Sequence, residues 1–129
     1  MALDIHGPTR HTAITDDGEH IVSTLPAALG LVTPICDRIW DRFYAGPSLG
    51  AAEVAAWKEE LIAIRAAWAL RRRVALVSER RIRATDPKVI EQIVAPMLAQ
   101  DRTLTICDEL LAVCDDALVA RSGLRFVSD

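Results

Sequence analysis

Three histidines, three cysteines and a run of arginines are the residues through which this chain could do chemistry. His6, His11 and His20 stand close in sequence to Asp16, Asp17 and Glu19, a ligand set that zinc or another divalent cation accepts. Four residues separate the first two histidines and eight the next two. No metal motif has that spacing, and acidic residues in turns serve solvation and turn conformation on their own. The region is therefore read as a solvated turn, with no metal and no other cofactor assigned. Cys36, Cys107 and Cys114 are each followed by aspartate. On a helix, successive residues point about 100° apart, so a Cys-Asp pair marks the border between an apolar and a polar face. The cysteines are taken as small core residues in helix interiors, where nothing lowers the thiol pKa as a helix N-terminus would. Glycine-rich phosphate loops, His-Glu-x-x-His patterns and Gly-x-Ser-x-Gly elbows are missing from the sequence, so no catalytic residue is assigned. An enzyme or metal protein built on the three histidines ranks third among the readings.

Charge is zoned. Residues 1–64 carry 4 basic and 9 acidic groups, residues 65–83 carry 7 and 1, and residues 84–129 carry 4 and 8. Arg65, Arg71, Arg72, Arg73, Arg80, Arg81 and Arg83 could form a phosphate-binding stripe on an otherwise acidic chain. The competing reading pairs them with flanking acidic helices. It is preferred because arginine is the general cation of this sequence, 13 Arg against 2 Lys, and because no helix-turn-helix signature accompanies the stripe. A nucleic-acid-associated regulator using the 65–83 cluster is the runner-up function. Asp37 and Asp41 lie four apart on one helical side, and Asp108, Glu109, Asp115 and Asp116 line a later helix. Such acidic faces suit a basic protein partner. The candidate partner-binding set is thus Asp37, Asp41, Asp108, Asp115 and Asp116, with Arg71, Arg72 and Arg73. Trp40, Trp57 and Trp68 are numerous for a small helical core, and tryptophan left exposed beside charge is interface material.

The elements that must position these groups follow from periodicity. Short β-like runs occupy Ala2 to His6, Thr12 to Thr15 and His20 to Val22, with Asp17-Gly18 as a hairpin turn between the last two. From Leu25 the apolar residues Leu25, Leu29, Val32, Cys36, Ile39, Trp40 and Phe43 fall three or four apart. Thr24 is placed to cap this helix and Gly46-Pro47 to stop it, with a kink or a restart at Thr33-Pro34. A second helix is predicted to start near Ser48, with Val54, Trp57, Leu61, Ile64 and Trp68 as its seam. Val74 to Val77 continues that helix or forms a short buried strand. Thr85-Asp86-Pro87 starts a further helical stretch whose buried face is Ile90, Val94, Met97, Leu104, Leu111, Cys114 and Leu118, bent at Pro96. Ser122-Gly123 ends it and leaves Leu124 to Ser128 as a candidate last strand beside the N-terminal hairpin. The fold expected is mainly α, a three- or four-helix bundle with a small β-hairpin. It forms a single domain over 1–129, with a β-like segment at 1–23, the bundle at 24–121 and the strand at 122–129.

Composition agrees. The 129 residues are 51% hydrophobic and 26% charged, with a net charge of −3, which suits one packed domain and excludes disorder. Charged residues interrupt the first twenty positions, and the stretch from His20 to Cys36 is broken by Pro26, Gly30 and Pro34. Neither a secretory leader nor a membrane span is predicted. With an odd cysteine count and no paired spacing, a reduced, cytoplasmic setting is expected. The apolar content is also compatible with a homodimer.

The small acidic helical body, the β-like start and the run Trp57-Lys58-Glu59-Glu60-Leu61-Ile62-Ala63-Ile64-Arg65, followed by Thr85-Asp86-Pro87, resemble bacterial immunity proteins. These are small helical proteins that neutralise toxins delivered by contact-dependent or type VI secretion systems. The resemblance covers the middle third of the chain. It implies a cytoplasmic, non-catalytic protein that covers a toxin's active site, with surface carboxylates or arginines as the contact.

Overall fold

The computed structural model describes residues 2–128, so the outermost residues of the expected N-terminal segment and C-terminal strand, Met1 and Asp129, lie outside the described residues. The chain begins with a hairpin, β1 (Leu3–His6) and β2 (His11–Ile14), paired from Leu3↔Ile14 to His6↔His11. Leu3, Ile5 and Ile14 are fully buried, whereas Asp4, His6 and His11 face outward, as alternation in a half-buried strand requires. The turn is Gly7 to Arg10, where the Gly7 N–H donates to the Arg10 carbonyl at 2.8 Å. It is not Asp17-Gly18.

The segment expected as a third β run is helical instead: α1 spans Glu19–Val22. Thr15 to Gly18 forms its lead-in, with the N–H groups of Gly18 and Glu19 both donating to the Thr15 carbonyl. Consecutive Ile21 and Val22 are both fully buried. A one-sided strand would expose one of them, while a helix directs both into the core.

The expected long helix from Leu25 is two helices, α2 (Leu25–Ala28) and α3 (Pro34–Asp41). The chain breaks at Gly30, which takes φ +73, and restarts with Pro34 in the first turn of α3, where a missing N–H is harmless. A 3₁₀ turn at Phe43–Ala45 follows. Ser48–Leu49, expected to open the next helix, is instead a two-residue strand, β3. Helix α4 runs Ala51–Glu79, started by the Glu53 carboxylate accepting the Gly50 N–H at 3.0 Å. Val74 to Val77 belongs to it, which settles that alternative as helix. The predicted seam holds: Val54, Trp57, Leu61 and Ile64 are fully buried and Trp68 packs against the same core.

Beyond Asp86, whose side chain caps the Lys88 N–H, the helical stretch is divided rather than bent. Helix α5 (Pro87–Leu98) contains Pro96, and α6 (Arg102–Val119) begins afresh after Asp101. Of the expected buried face, Val94, Leu104 and Cys114 are buried and Ile90, Met97, Leu111 and Leu118 partly so. The deepest line on α6 is Cys107, Leu110, Cys114 and Ala117. Strand β4 (Leu124–Ser128) pairs antiparallel with β1, beside the N-terminal hairpin as expected, and on its other edge with β3. The sheet order is β2-β1-β4-β3.

The protein is mainly helical with a small four-stranded antiparallel sheet. Its main core lies where the sheet's inner face meets α6, α3 and the first half of α4, with Trp57 and Phe126 ring to ring at 5.7 Å. Among the described residues no helix is long and apolar enough to cross a membrane.

Candidate protein-interaction surface

Most of the chemistry-bearing residues are used inside the molecule. His6 and His11 stack across the hairpin, with ring centroids 4.8 Å apart, and His11 Nε2 lies 3.6 Å from Asp4. His20 sits on α1 against the Thr103 hydroxyl, 2.9 Å from Nε2, and burial lowers its pKa. The three histidines are not brought together. Among the described residues no group of three or more His, Cys, Asp or Glu side chains is arranged to hold a metal ion.

All three cysteines are buried and each following aspartate is exposed. Burial pushes the thiols of Cys107 and Cys114 up to about 12. Cys36 corrects the expectation that every cysteine lies in a helix interior, since it stands in the first turn of α3. Its thiol is nevertheless raised rather than acidified, first by burial and then by Glu60. That carboxylate accepts the N–H groups of Ile35 and Cys36 at 2.9 Å each, so the positive end of the helix is already neutralised.

The carboxylates of α6 brace the fold. Lys58, Arg65 and Arg72 recur every seven residues on α4, and Asp115, Asp108 and Asp101 recur every seven in the opposite direction along α6. Lys58 meets Asp115 at 2.7 Å, Arg65 grips Asp108 with two bonds of 2.6 and 3.2 Å, and Arg72 lies 3.7 Å from Asp101. One residue per heptad on each side thus forms a ladder along an antiparallel pair. Asp116 takes the N–H groups of Thr9 and Arg10 at 2.9 Å and the Thr9 hydroxyl, latching the hairpin turn onto α6. These bonds hold its carboxyl below the usual aspartate range.

Four arginines of the 65–83 cluster are likewise committed. Besides Arg65 and Arg72, Arg71 donates to the Ala28 carbonyl at 3.0 Å, and Arg73 pairs with Glu91 of α5. Arg80, Arg81 and Arg83 are exposed, and no carboxylate among the described residues pairs with them.

Asp37 and Asp41 differ from the α6 carboxylates. Cys36, Ile39 and Phe43 turn inward, so Asp37, Trp40 and Asp41 share the outward side of α3, and Tyr44 follows in the next turn. Both aspartates are exposed, with no ion pair or side-chain hydrogen bond to another described residue. Trp40 is 38% exposed and Tyr44 63%. Both rings pack edge-on against buried Phe43, with centroids 5.4 and 5.6 Å apart. The patch is anchored at both ends, by Glu60 at the start of α3 and, beyond the 3₁₀ turn, by the Ser128 hydroxyl on the Tyr44 carbonyl at 3.0 Å. Gly46 closes the turn with φ +63, at a place where a Cβ would stand 3.0 Å from the Phe126 carbonyl oxygen. Of the nearby cations, Arg38 is held by Glu53 and the Ser48 carbonyl, while Arg42, whose backbone N–H closes the end of α3, is exposed.

Tyr44 was not singled out from sequence. The signal was there, because Trp40 and Tyr44 lie four apart, as Asp37 and Asp41 do, and so fall on one side of a helical stretch. Comparison of the chain with protein-family models, with curated proteins and with solved structures found no match.

Proposed function

We propose that this chain is a non-catalytic protein-interaction module of the immunity or antitoxin kind, which covers a basic surface on a toxin with the outer side of α3. One observation carries the reading: two exposed aromatic rings pinned by a buried third and flanked by two unpaired carboxylates. Tryptophan and tyrosine are the residues that most often dominate binding energy, and a ring already held in place loses little entropy when a partner closes over it. Asp37 and Asp41 supply charge that is not already spent on an internal partner, which is what steers a basic protein into register. Occlusion needs no chemistry from this chain, only a rigid patch broad enough to exclude substrate from the partner.

The test is affinity capture from the native lysate with the wild-type chain and with Trp40→Ala and Asp37→Lys/Asp41→Lys variants. The reading expects a stoichiometric protein partner, harmful to cells when expressed without this chain, whose retention falls about thirtyfold on loss of Trp40. Equal capture by all three proteins, or elution of nucleic acid alone, would overturn it.

A further inference from the structure

We infer that the outer half of α4 is a second docking surface, and that it receives an acidic amphipathic helix from a partner protein. Over its first half α4 is covered on this side by the segment carrying α2 and α3. Leu29 packs near Ala67, and Arg71 closes the C-terminal end of α2 by bonding the Ala28 carbonyl. That covering stops at about Arg71, while α4 continues for two more turns, about 12 Å. At that edge and just beyond it Leu70 is 65% exposed and Val74 64%. Together with Leu29, Ala67 and Arg71 they line an open groove of about 380 Å³.

Leu70 and Val74 are four apart, and partly buried Val77 is three further on. An aliphatic ridge with this spacing is what a second helix packs against with its own i, i+3, i+4 row.

Charge selects the occupant. Arg80, Arg81 and Arg83 follow directly at the end of α4 and are the arginines of the cluster left without an internal carboxylate or carbonyl among the described residues. Arg81 holds a left-handed backbone, φ +51, within a helix-ending turn in which the Ile82 N–H donates to the Val77 carbonyl. Glycine is the usual residue there, so this position keeps a guanidinium where none is needed for the turn. An apolar ridge leading to three unpaired guanidinium groups is complementary to a helix that is aliphatic on one side and rich in glutamate or aspartate at its flank.

The test uses the full chain and a fluorophore-labelled synthetic peptide of about four helical turns, with leucine at i, i+3, i+4 and i+7 and glutamate elsewhere. A control peptide carries lysine for every glutamate. The glutamate peptide should bind, in a salt-sensitive manner, at least tenfold tighter than the lysine peptide. Leu70→Asp, Val74→Asp and the combined Arg80→Gln/Arg81→Asn/Arg83→Gln variant should each weaken it about tenfold, with thermal unfolding unchanged because these side chains are exposed. Asparagine is used at position 81 because it tolerates positive φ. Equal binding of both peptides, no binding of either, or indifference to Leu70→Asp would overturn the proposal. So would a dimer that Leu70→Asp dissolves, or duplex DNA that binds the arginines regardless of Leu70. Trp40→Ala should leave peptide binding intact, so failure here is separable from failure of the α3 surface.

Discussion

The first half of α4 and its second half obey different physics. Between Val54 and Ile64 the helix has neighbours on several sides, α6, α3 and the sheet, and its inward residues are fully buried. Beyond Trp68 it is tied to α5, where Arg73 meets Glu91, and its one buried residue there among the described residues is Leu76, outside the main core. In this half the buried seam gives way to Arg72 and Ala75, and the apolar residues left exposed, Leu70 and Val74, lie on a different side of the helix. Apolar periodicity therefore specifies that a helix forms and does not specify how much of its apolar side the chain itself will cover.

The largest expected effect tests that difference directly. Trp57→Ala removes a fully buried indole from the main core and should cost about 3 to 5 kcal/mol, lowering the urea midpoint of the whole molecule. Val94→Ala, also at a buried position, removes far less and lies in the thin cluster between α4 and α5. It should cost about 1 to 2 kcal/mol. Its effect should show by amide hydrogen exchange as faster opening of α5 and the end of α4, with protection of β1, β4 and α6 unchanged. If Val94→Ala opened the sheet as much as α5, the two halves would be one cooperative unit and the comparison would fail.

What the sequence made legible follows the same line. The α4 seam, the Asp86-Pro87 helix start, the interruption at Thr33-Pro34, left open as kink or restart, and the position of β4 beside the hairpin were all readable, because each rests on several local signals that agree. Ser48–Leu49 was not readable as strand: two residues carry no period, and their pairing with Leu124 and Arg125 is set by tertiary placement. His20 to Val22 was misread because an apolar pair beside a turn fits strand and helix equally until both residues are known to be buried. Among the site residues, Asp37 and Asp41 stand on an open face as expected. Asp108, Asp115, Asp116, Arg72 and Arg73 turned out to be internal braces, with Arg71 on a backbone carbonyl. The seven-residue recurrence of opposite charges on α4 and α6 was present in the sequence, but it gains meaning only once the two helices are known to run antiparallel side by side.

Asp101 should give the next largest effect, because three groups from two elements converge on it. It caps the Leu104 N–H at 3.0 Å, accepts the Trp68 indole N–H at 2.9 Å and lies near Arg72. Asp101→Ala removes a cap, typically about 1 kcal/mol, and leaves a partly buried indole donor unpaired, for a total of about 2 to 3 kcal/mol in urea unfolding. Asp101→Asn keeps both acceptor roles and should lose less than half of that. Cutting a single outer rung of the ladder with Lys58→Ala should leave the urea midpoint nearly unchanged, since exposed ion pairs contribute little. A rung loss as large as that of Asp101 would mean the ladder, and not the junction, holds α6 to α4.

The smallest effect is the most local. The folded protein keeps the Asp116 carboxyl below its unfolded pKa, through the Thr9 hydroxyl, the Thr9 and Arg10 N–H groups and the charge of Arg10. A depressed carboxylate stabilises the fold fully above the unfolded value, about pH 3.9, and that contribution is lost as the pH falls through the lowered folded value. His20 acts in a higher window. Its pKa is lowered by burial, so as the pH falls below about 6.5 the unfolded chain takes up a proton that the folded chain refuses, and stability declines there first. Two windows from two places on α6's border should therefore separate in one titration. His20→Gln should flatten the decline between about pH 7 and 5. Asp116→Asn should leave that decline in place and instead speed hydrogen exchange at the Gly7 to Arg10 turn at neutral pH, removing its further loss in acid. If Asp116→Asn moved the upper window, or left turn exchange untouched, the latch between hairpin and α6 would not be the element that fixes the turn.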